Sequence, residues 1–457
     1  MFPYFSVLKQ LRFFFLYLHL TTSCITYTFS QGNVTLPTRS FNLSQAIKSG
    51  LENNQRIKNA GLDIEIAKEK IKETFSIGFP QIFTEGNFQH FIDIPTQVAP
   101  ANMFDSKAPG DLLIPIKFGT TYNGTASISA SQLVFDGSYF VGLQAAKVYK
   151  QLFEKQKVFS EIEVRDMIMQ TYCAVLAAQK GNAFLKKTYS NLDSIHRQIT
   201  LMYQQGFMDK LEVEQSELTL LNLSVQIQKS VTDIEKTNLL LKFQMGIPLE
   251  SDIELTDSLQ GIVEELKNEN LREEVSNFKS HISMQIFATQ MELLKLNLKK
   301  ERAQRLPHLG VFLNHGQYGY SNTFEFKSWY PTTLWGINLR IPVFDGLGQS
   351  RRIKQSKFEI EKAQNSFEQL QQGLQLEYLS AKAECRDANE HERNAKSNVS
   401  LAEKVLDKTL IRHKQGLASS LEVSQVQNQY LTAESMYLMA IMENIQSNMK
   451  LRRAKGE

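Results

Sequence analysis

The sequence predicts a mainly α-helical protein with transmembrane β-strands, built as two tandem structural repeats, and three observations carry that prediction. Prolines leave two long stretches empty, one from Pro115 to Pro248 and one from Val343 to the end. Since proline breaks helix interiors, these are the stretches in which long helices can run. Second, one line is written twice: "YQQGFMDKLEVEQSE" from Tyr203 and "HKQGLASSLEVSQVQ" from His413 agree at six of fifteen positions. Third, each half carries two segments of period-2 hydrophobicity.

The proline-free stretches are rich in Ala, Leu, Gln, Glu and Lys. Their apolar residues recur at spacings of three and four, as in Ile162, Val164, Met167, Ile168, Tyr172, Val175 and Leu176. The pattern predicts helices over 43–76, 138–205, 209–246, 268–304, 347–414 and 418–454, with an equatorial linker over 247–267. A helix over 138–205 would span roughly 100 Å, so two shorter helices stacked end to end are expected alongside each long one. The first repeat is read as 31–267 and the second as 268–457.

Strands are expected at about 82–92, 124–135, 309–320 and 333–344. Ile128 alternates with Ser127 and Ser129, while Trp335, Ile337, Leu339 and Ile341 alternate with Gly336, Asn338 and Arg340, which marks these five apolar residues as a lipid-facing set. Four strands cannot close a bacterial barrel, which starts at eight, and an open sheet edge is not tolerated in hydrocarbon. The barrel must therefore be shared between subunits; the geometry alone allows a dimer or a trimer.

The repeat extends through the strand-to-helix turns. Leu133-Val134-Phe135-Asp136-Gly137 precedes the first long helix and Pro342-Val343-Phe344-Asp345-Gly346 the second. Likewise "GFPQIF" around Pro80 matches "RLPHLG" around Pro307. The two prolines stand further apart than the two Phe-Asp-Gly turns do, so the length mismatch falls in a loop between the strands, where insertions are best tolerated.

At the N-terminus, Lys9 and Arg12 precede the apolar run Phe13–Leu20, and Thr28-Phe29-Ser30 supplies small residues for cleavage, so residues 1–30 read as a signal peptide. Cys24 offers a lipoprotein alternative in which Leu20 stands one place too far upstream. No later run reaches the 18 to 20 apolar residues of a spanning helix. Beyond the leader the only cysteines are Cys173 and Cys385, no disulfide framework, and a net charge of +3 gives no argument for nucleic acid.

The doubled order of helix, proline-ended strand pair, Phe-Asp-Gly turn, long helix, Gly-centred reversal and returning helix resembles the TolC family of outer-membrane efflux proteins. "LVFDGSYFVGLQAAK" and "VFDGLGQSRRIKQSK" stand where that family has such segments. The resemblance covers essentially the whole mature chain. It implies a homotrimer with a shared twelve-stranded barrel in the outer membrane of a Gram-negative bacterium, continuing as a helical tunnel into the periplasm with a collar near mid-length. By the same analogy the collar should draw on Gly246 to Lys267 and the C-terminal end. The implied partners are outer-membrane lipid, a periplasmic adaptor (membrane fusion) protein and an inner-membrane pump driven by protons or ATP.

The resemblance also places the adaptor-docking tips at Gln205, Gly206, Phe207 and Met208 and at Gln415, Gly416, Leu417 and Ala418. A plain helix C-cap is the alternative reading of either tip. The family's acidic aperture positions fall on Glu422 and Gln425, with His413 replacing a tyrosine; Glu212, with Asp209 nearby, is the first-repeat counterpart of Glu422. Glu422 reads equally as a solvated helix charge.

Catalytic patterns are absent from the sequence: no two of the eight histidines stand four apart, and "DGLGQSRR" lacks the third glycine and the lysine of a phosphate loop. No enzymatic activity and no cofactor are expected. The charge run Lys299-Lys300-Glu301-Arg302 reads as a solvated face. The expected function is the passive exit duct of a tripartite efflux or export system. The alternatives are the exit duct of a one-step (type I) protein secretion system and, from another class, a structural coiled-coil spacer or adhesin.

Overall fold

A computed structural model describes residues 39–456 apart from 271–277. The signal peptide and Cys24 lie outside the described residues. In chain order the elements are β1 (Arg39–Phe41), α1 (Leu43–Asn53), α2 (Gln55–Ser76), β2 (Gln81–His90), β3 (Thr96–Pro100), β4 (Leu113–Lys117), β5 (Tyr122–Asp136) and α3 (Gly137–Gln204). They continue with α4 (Lys210–Met245), β6 (Ile253–Leu255), α5 (Leu259–Asn270), α6 (Ile282–Ala303), β7 (His308–Ser321), β8 (Trp329–Arg340), α7 (Gly348–Lys414) and α8 (Ser420–Lys455).

Two helices, α3 and α7, run the length of the helical body, and the shorter ones pack along them. α2 and α4 both lie on α3; α6 lies on α3 and α7; α8 lies on α7. The helix expected over 43–76 is broken at Asn54. Its backbone there is extended, and its side chain caps α2 by accepting from the Arg56 N–H at 2.8 Å while donating to the Gln244 carbonyl at 2.7 Å. A second departure is the interval 247–267. Instead of a plain linker it holds β6 and most of α5, and β6 pairs in parallel with β1, Arg39 opposite Ile253. The periodicity places a helix start at 268, but α5 already ends at Asn270 and α6 begins only at Ile282, behind a short 3-10 turn at Phe278–Ser280.

The principal core sits at this mid-length belt. Val164, Ile168, Tyr172 and Val175 of α3 repeat at helical spacing and are fully buried against Leu241 and Met245 of α4, Ile262 and Leu266 of α5, and Ile441 and Ile445 of α8. Each such side chain contributes about 1.5–3 kcal/mol by leaving water. Polar ties fix the belt: the Tyr172 hydroxyl donates to the Phe41 carbonyl at 2.9 Å, and Asp257 Oδ2 accepts from the Leu43 N–H at 2.6 Å. On the other side Glu392 of α7 accepts from Lys267 at 2.8 Å and from Asn444 at 2.6 Å.

At one end of the helical body is a four-stranded antiparallel sheet of order β2-β5-β7-β8. The two hairpins within it are in equivalent registers: Gln81 pairs with Ser131 in the first repeat, and their counterparts His308 and Arg340 pair in the second. Between β2 and β5 the longer connection forms its own hairpin of β3 and β4, which no alternation in the sequence announces. β5 and β7 join the repeats, with a bulge between Leu133 and Phe135. Cross-strand partners share a face. The register therefore places Ile82, Phe88, Ile128, Leu313, Trp335, Ile337 and Leu339 on one face and Glu85, Asn87, Ser127, Ser129, Asn314, Asn338 and Arg340 on the other. Ile341, counted with the strand from its alternation, lies just past the end of β8.

The two strand-to-helix turns differ. Asp136 caps α3, its Oδ1 accepting from the N–H groups of Ser138 at 2.6 Å and Tyr139 at 3.1 Å, and its Oδ2 pairs with His308 at 3.0 Å. The chain before α7 is not a second copy of that turn. Gly346 and Leu347 are both left-handed, at φ 65° and 69°, the first-turn N–H of Gln349 is capped from further back by Asp345 Oδ2 at 2.5 Å, and Val343 and Phe344 are 93% and 81% exposed. Glu301, expected on a solvated face, here accepts from the Gln349 amide through its carbonyl and faces Arg352 at 3.5 Å, so it ties α6 to the start of α7.

Candidate functional site: the paired helical tips

The end opposite the sheet is formed by two reversals of one design. At the first, Gly206 has φ 80°; its N–H bonds the Tyr203 carbonyl at 2.9 Å, and the Phe207 N–H bonds the Met202 carbonyl at 2.9 Å. At the second, Gly416 has φ 76°, and the same two bonds run to His413 and from Leu417 to Arg412, both at 2.9 Å. This double closure with a left-handed glycine is the Schellman ending, which satisfies the last carbonyls of a helix and which only glycine enters at little cost. Gln205 and Gln415 are the C-cap residues. Each returning helix is then capped: Asp209 accepts from the Leu211 N–H at 3.4 Å and Ser419 from the Glu422 N–H at 3.1 Å.

The tips present apolar surface. Phe207 is 75% and Leu417 63% exposed, while Met208 and Ala418 behind them are half-buried.

The aperture candidates separate into two kinds. Glu422 faces inward along its own hairpin, accepting from Arg412 Nη1 at 3.0 Å, while Arg412 Nη2 also donates to the Leu417 carbonyl at 3.1 Å. His413 places Nδ1 2.8 Å from the Ala418 carbonyl, so that nitrogen carries the proton. Glu212, the first-repeat counterpart of Glu422, reaches across to the other hairpin and accepts from the Ser420 N–H at 3.0 Å. A further cross-hairpin contact, Thr219 Oγ1 to Ser424 Oγ at 3.4 Å, lies one to two turns deeper. Gln425 is exposed.

Arg412 was missed by sequence reasoning. Its only signal is its position ten places before an acidic side chain, and a spacing of ten means nothing until the glycine turn folds it back. The strand-to-helix residues Asp136, Gly137, Asp345 and Gly346 lie at the opposite end, beside the sheet. Among the described residues no three His, Cys, Asp or Glu side chains converge as metal ligands would, and no helix is long and apolar enough to cross a membrane.

The architecture is a strand sheet with one apolar face carried on helices far longer than a globular domain needs. Residues 281–457, essentially the second repeat, match the family model described as outer membrane efflux protein. Solved channels share the fold over nearly the whole chain. The CmeC outer membrane channel of Campylobacter jejuni aligns over 91% of this chain and 85% of its own at 15% identity and a TM-score of 0.68. VceC of Vibrio cholerae, an outer membrane protein, aligns over 91% and 96% at 13% identity and a TM-score of 0.65. The MtrE outer membrane channel of Neisseria gonorrhoeae, solved in its open state, aligns over 91% and 88% at 12% identity and 0.66. No curated protein matches the chain by sequence.

Proposed function

We propose that this channel is the exit duct of a tripartite export system, working as a homotrimer whose tips meet a periplasmic adaptor that joins it to an inner-membrane pump. The observation that carries the reading is the pair of matching apolar tips, Phe207 and Leu417, at the end of equal hairpins opposite the sheet.

Two further features support it. The sheet is open, with β2 and β8 as its free edges, and three alternations of direction leave those edges antiparallel to one another. Copies related by rotation about an axis therefore bring β8 of one beside β2 of the next as an antiparallel pair, and closure removes the edges that hydrocarbon does not tolerate. Two copies give eight strands and three give twelve; the trimer comes from the family resemblance. In such a barrel the face bearing Ile128, Trp335, Ile337 and Leu339 meets lipid, with Ile341 continuing the row, and the face bearing Ser127, Ser129 and Asn314 lines the bore. The helices carry apolar side chains on both flanks, Leu62 and Ile66 of α2 and Leu376 and Leu401 of α7 among them, all of them exposed in the single chain. Such surface is what neighbouring copies would cover.

The energy for transport comes from the pump in this reading, so the duct itself carries no chemistry. Its selectivity rests on what the bore and the aperture admit. The test is the native mass and outline of detergent-extracted protein: a tube of three chains with a detergent belt at one end is the expected result, and a monomeric or belt-free particle would overturn the reading.

A further inference from the structure

The two repeats define a register for a seam that a single chain does not contain. β2 and β7 are equivalent under the shift that carries Gln81 to His308, and β5 and β8 under the shift that carries Ser131 to Arg340. The two hairpins obey both shifts at once, since the pair Gln81–Ser131 becomes the pair His308–Arg340. The chain joins its repeats through β5 and β7, with Ser131 opposite Phe312, Ser129 opposite Asn314 and Ile128 opposite His315. Applying the same shifts to that internal seam gives the pairing of the free edge β8 with the free edge β2 of a second copy. Under them Ser131 becomes Arg340 and Phe312 becomes Glu85.

We infer that β8 pairs with β2 of the next copy in the register that sets Arg340 directly opposite Glu85, so that each subunit seam of the barrel is locked by one ion pair on the polar face. The inference rests on the shared-barrel reading and supplies its registration.

Three observations favour this register. Arg340 and Glu85 both stand on the polar face, as directly opposed residues must, and a register slipped by one place would set the charge of one against the apolar face of the other. They are oppositely charged, and among the described residues neither forms an ion pair or a side-chain hydrogen bond within its own chain; they are also the only full charges that β2 and β8 carry on their exposed edges. The neighbouring pairs are matched as well: Asn338 falls opposite Asn87 on the polar face, and Ile337 opposite Phe88 on the apolar one. The same register carries Ile341 opposite Thr84, extending β8 past the point where it ends in the single chain. Val343 and Phe344, the equivalents of Val134 at the β5 bulge and of Phe135 opposite Leu309, thereby gain a neighbour. The second copy is thus an occupant with a defined charge, shape and direction.

Disulfide trapping reads the register directly, because directly opposed Cβ atoms on antiparallel strands are about 4.5–5.5 Å apart and diagonal ones about 7–8 Å, and a disulfide requires about 3.5–4.5 Å. Full-length protein carrying Asn87→Cys with Asn338→Cys is expected to oxidise in the membrane to covalent multimers up to three chains. The slipped pairs Asn87→Cys with Gly336→Cys and Asn87→Cys with Arg340→Cys should link several-fold more slowly. Fastest linking in a slipped pair, or none in any pair of a protein that is trimeric by native mass, would overturn the seam and leave the trimer standing. A monomeric wild type would overturn the shared barrel itself. Charge exchange supplies the second readout: Glu85→Arg alone is expected to lose heat-resistant trimer, and adding Arg340→Glu should restore it. Equal loss in the double variant would count against the pair.

Discussion

Glu212 on the first hairpin accepts a hydrogen bond at 3.0 Å from the backbone N–H of Ser420 on the second, so a side chain of one repeat caps the helix of the other. Ser420 is buried, and its own hydroxyl finds no partner among the described residues. The carboxylate therefore satisfies a helix-terminal N–H that its own residue does not, and its charge lies at the positive end of α8, where it is favoured.

Glu212→Ala removes that link without touching the sheet. A lost helix cap costs about 1 kcal/mol, and the cost falls on the contact that holds the two tips together. The expected outcome is a higher resting conductance in planar bilayers with an unchanged amount of trimer. Glu422→Ala is expected to do less than a free aperture carboxylate would, since Glu422 is paired with Arg412 inside its own hairpin. Equal conductance in wild type and Glu212→Ala would remove the cross-hairpin bond from any part in setting the aperture.

The tips test the adaptor. Phe207 and Leu417 are exposed and lie outside every buried cluster, so Phe207→Asp with Leu417→Asp should leave folding intact. If these side chains are anchors of an interface, each is worth about 2 kcal/mol, or some thirtyfold in affinity. Export should then collapse while the trimer persists in the membrane, as read by a cargo-accumulation assay beside a native gel. Unimpaired export by the double variant would return both tips to the role of plain helix ends.

Much of this organisation was legible from residues alone, because it is carried by local rules. Proline-free stretches of three-and-four spacing are the long helices, and alternation at Ile128 and at Trp335, Ile337 and Leu339 follows the face of the sheet on which the register places them. What was not legible depends on contacts distant in the chain. Asn54 breaks the first helix because it is held by the Gln244 carbonyl, far along the sequence. The helix at Leu259–Asn270 exists because Leu259, Ile262, Val263 and Leu266 are buried in the belt core, not because a short segment would be stable alone. At the tips, "QG" announced both turns, but nothing in the sequence tells that Glu422 bonds within its own hairpin while Glu212, with which it aligns, reaches across to the other. The turn before α7 misled for a similar reason: Phe-Asp-Gly occurs twice, yet only Asp136 has a His308 beside it to fix its second oxygen.

The buried thiols make a prediction about chemistry. Burial, with the Asp257 carboxylate adding to it, pushes the Cys173 thiol up to about 12, and burial raises Cys385 as well, against the opposing charge of Lys267. A thiol reacts as its thiolate. For a group with its midpoint near 12 the thiolate fraction at pH 8 is roughly one in ten thousand. Folded protein should therefore resist iodoacetamide at pH 8, and Cys173 should begin to react only as the pH climbs toward the alkaline range or the chain is denatured. Rapid labelling of Cys173 in native protein at pH 8 would show that the belt opens to solvent. The same inertness keeps both native thiols out of the seam cross-linking.

The junction of α1, α2 and α4 offers the sharpest stability contrast. Gly246 ends α4 at φ 68°, and a Cβ placed there would stand 2.5 Å from the Asn53 carbonyl carbon, 2.6 Å from its oxygen and 2.8 Å from the Asn54 nitrogen. Those atoms are backbone at the break between α1 and α2, pinned by the Asn54 amide, so they cannot move aside as a side chain would. Gly416, at φ 76°, has open space at its Cβ position: beyond its chain neighbours, nothing among the described residues stands within 4 Å. Gly416→Ala should thus cost only the left-handed conformation, about 1 kcal/mol. Gly246→Ala adds a clash in a packed belt, roughly a further 1–3 kcal/mol. Denaturant midpoints of the two variants in one detergent should differ accordingly, with Gly246→Ala the lower. If the two fall together, the close approach at Asn53 is not what selects glycine at the end of α4.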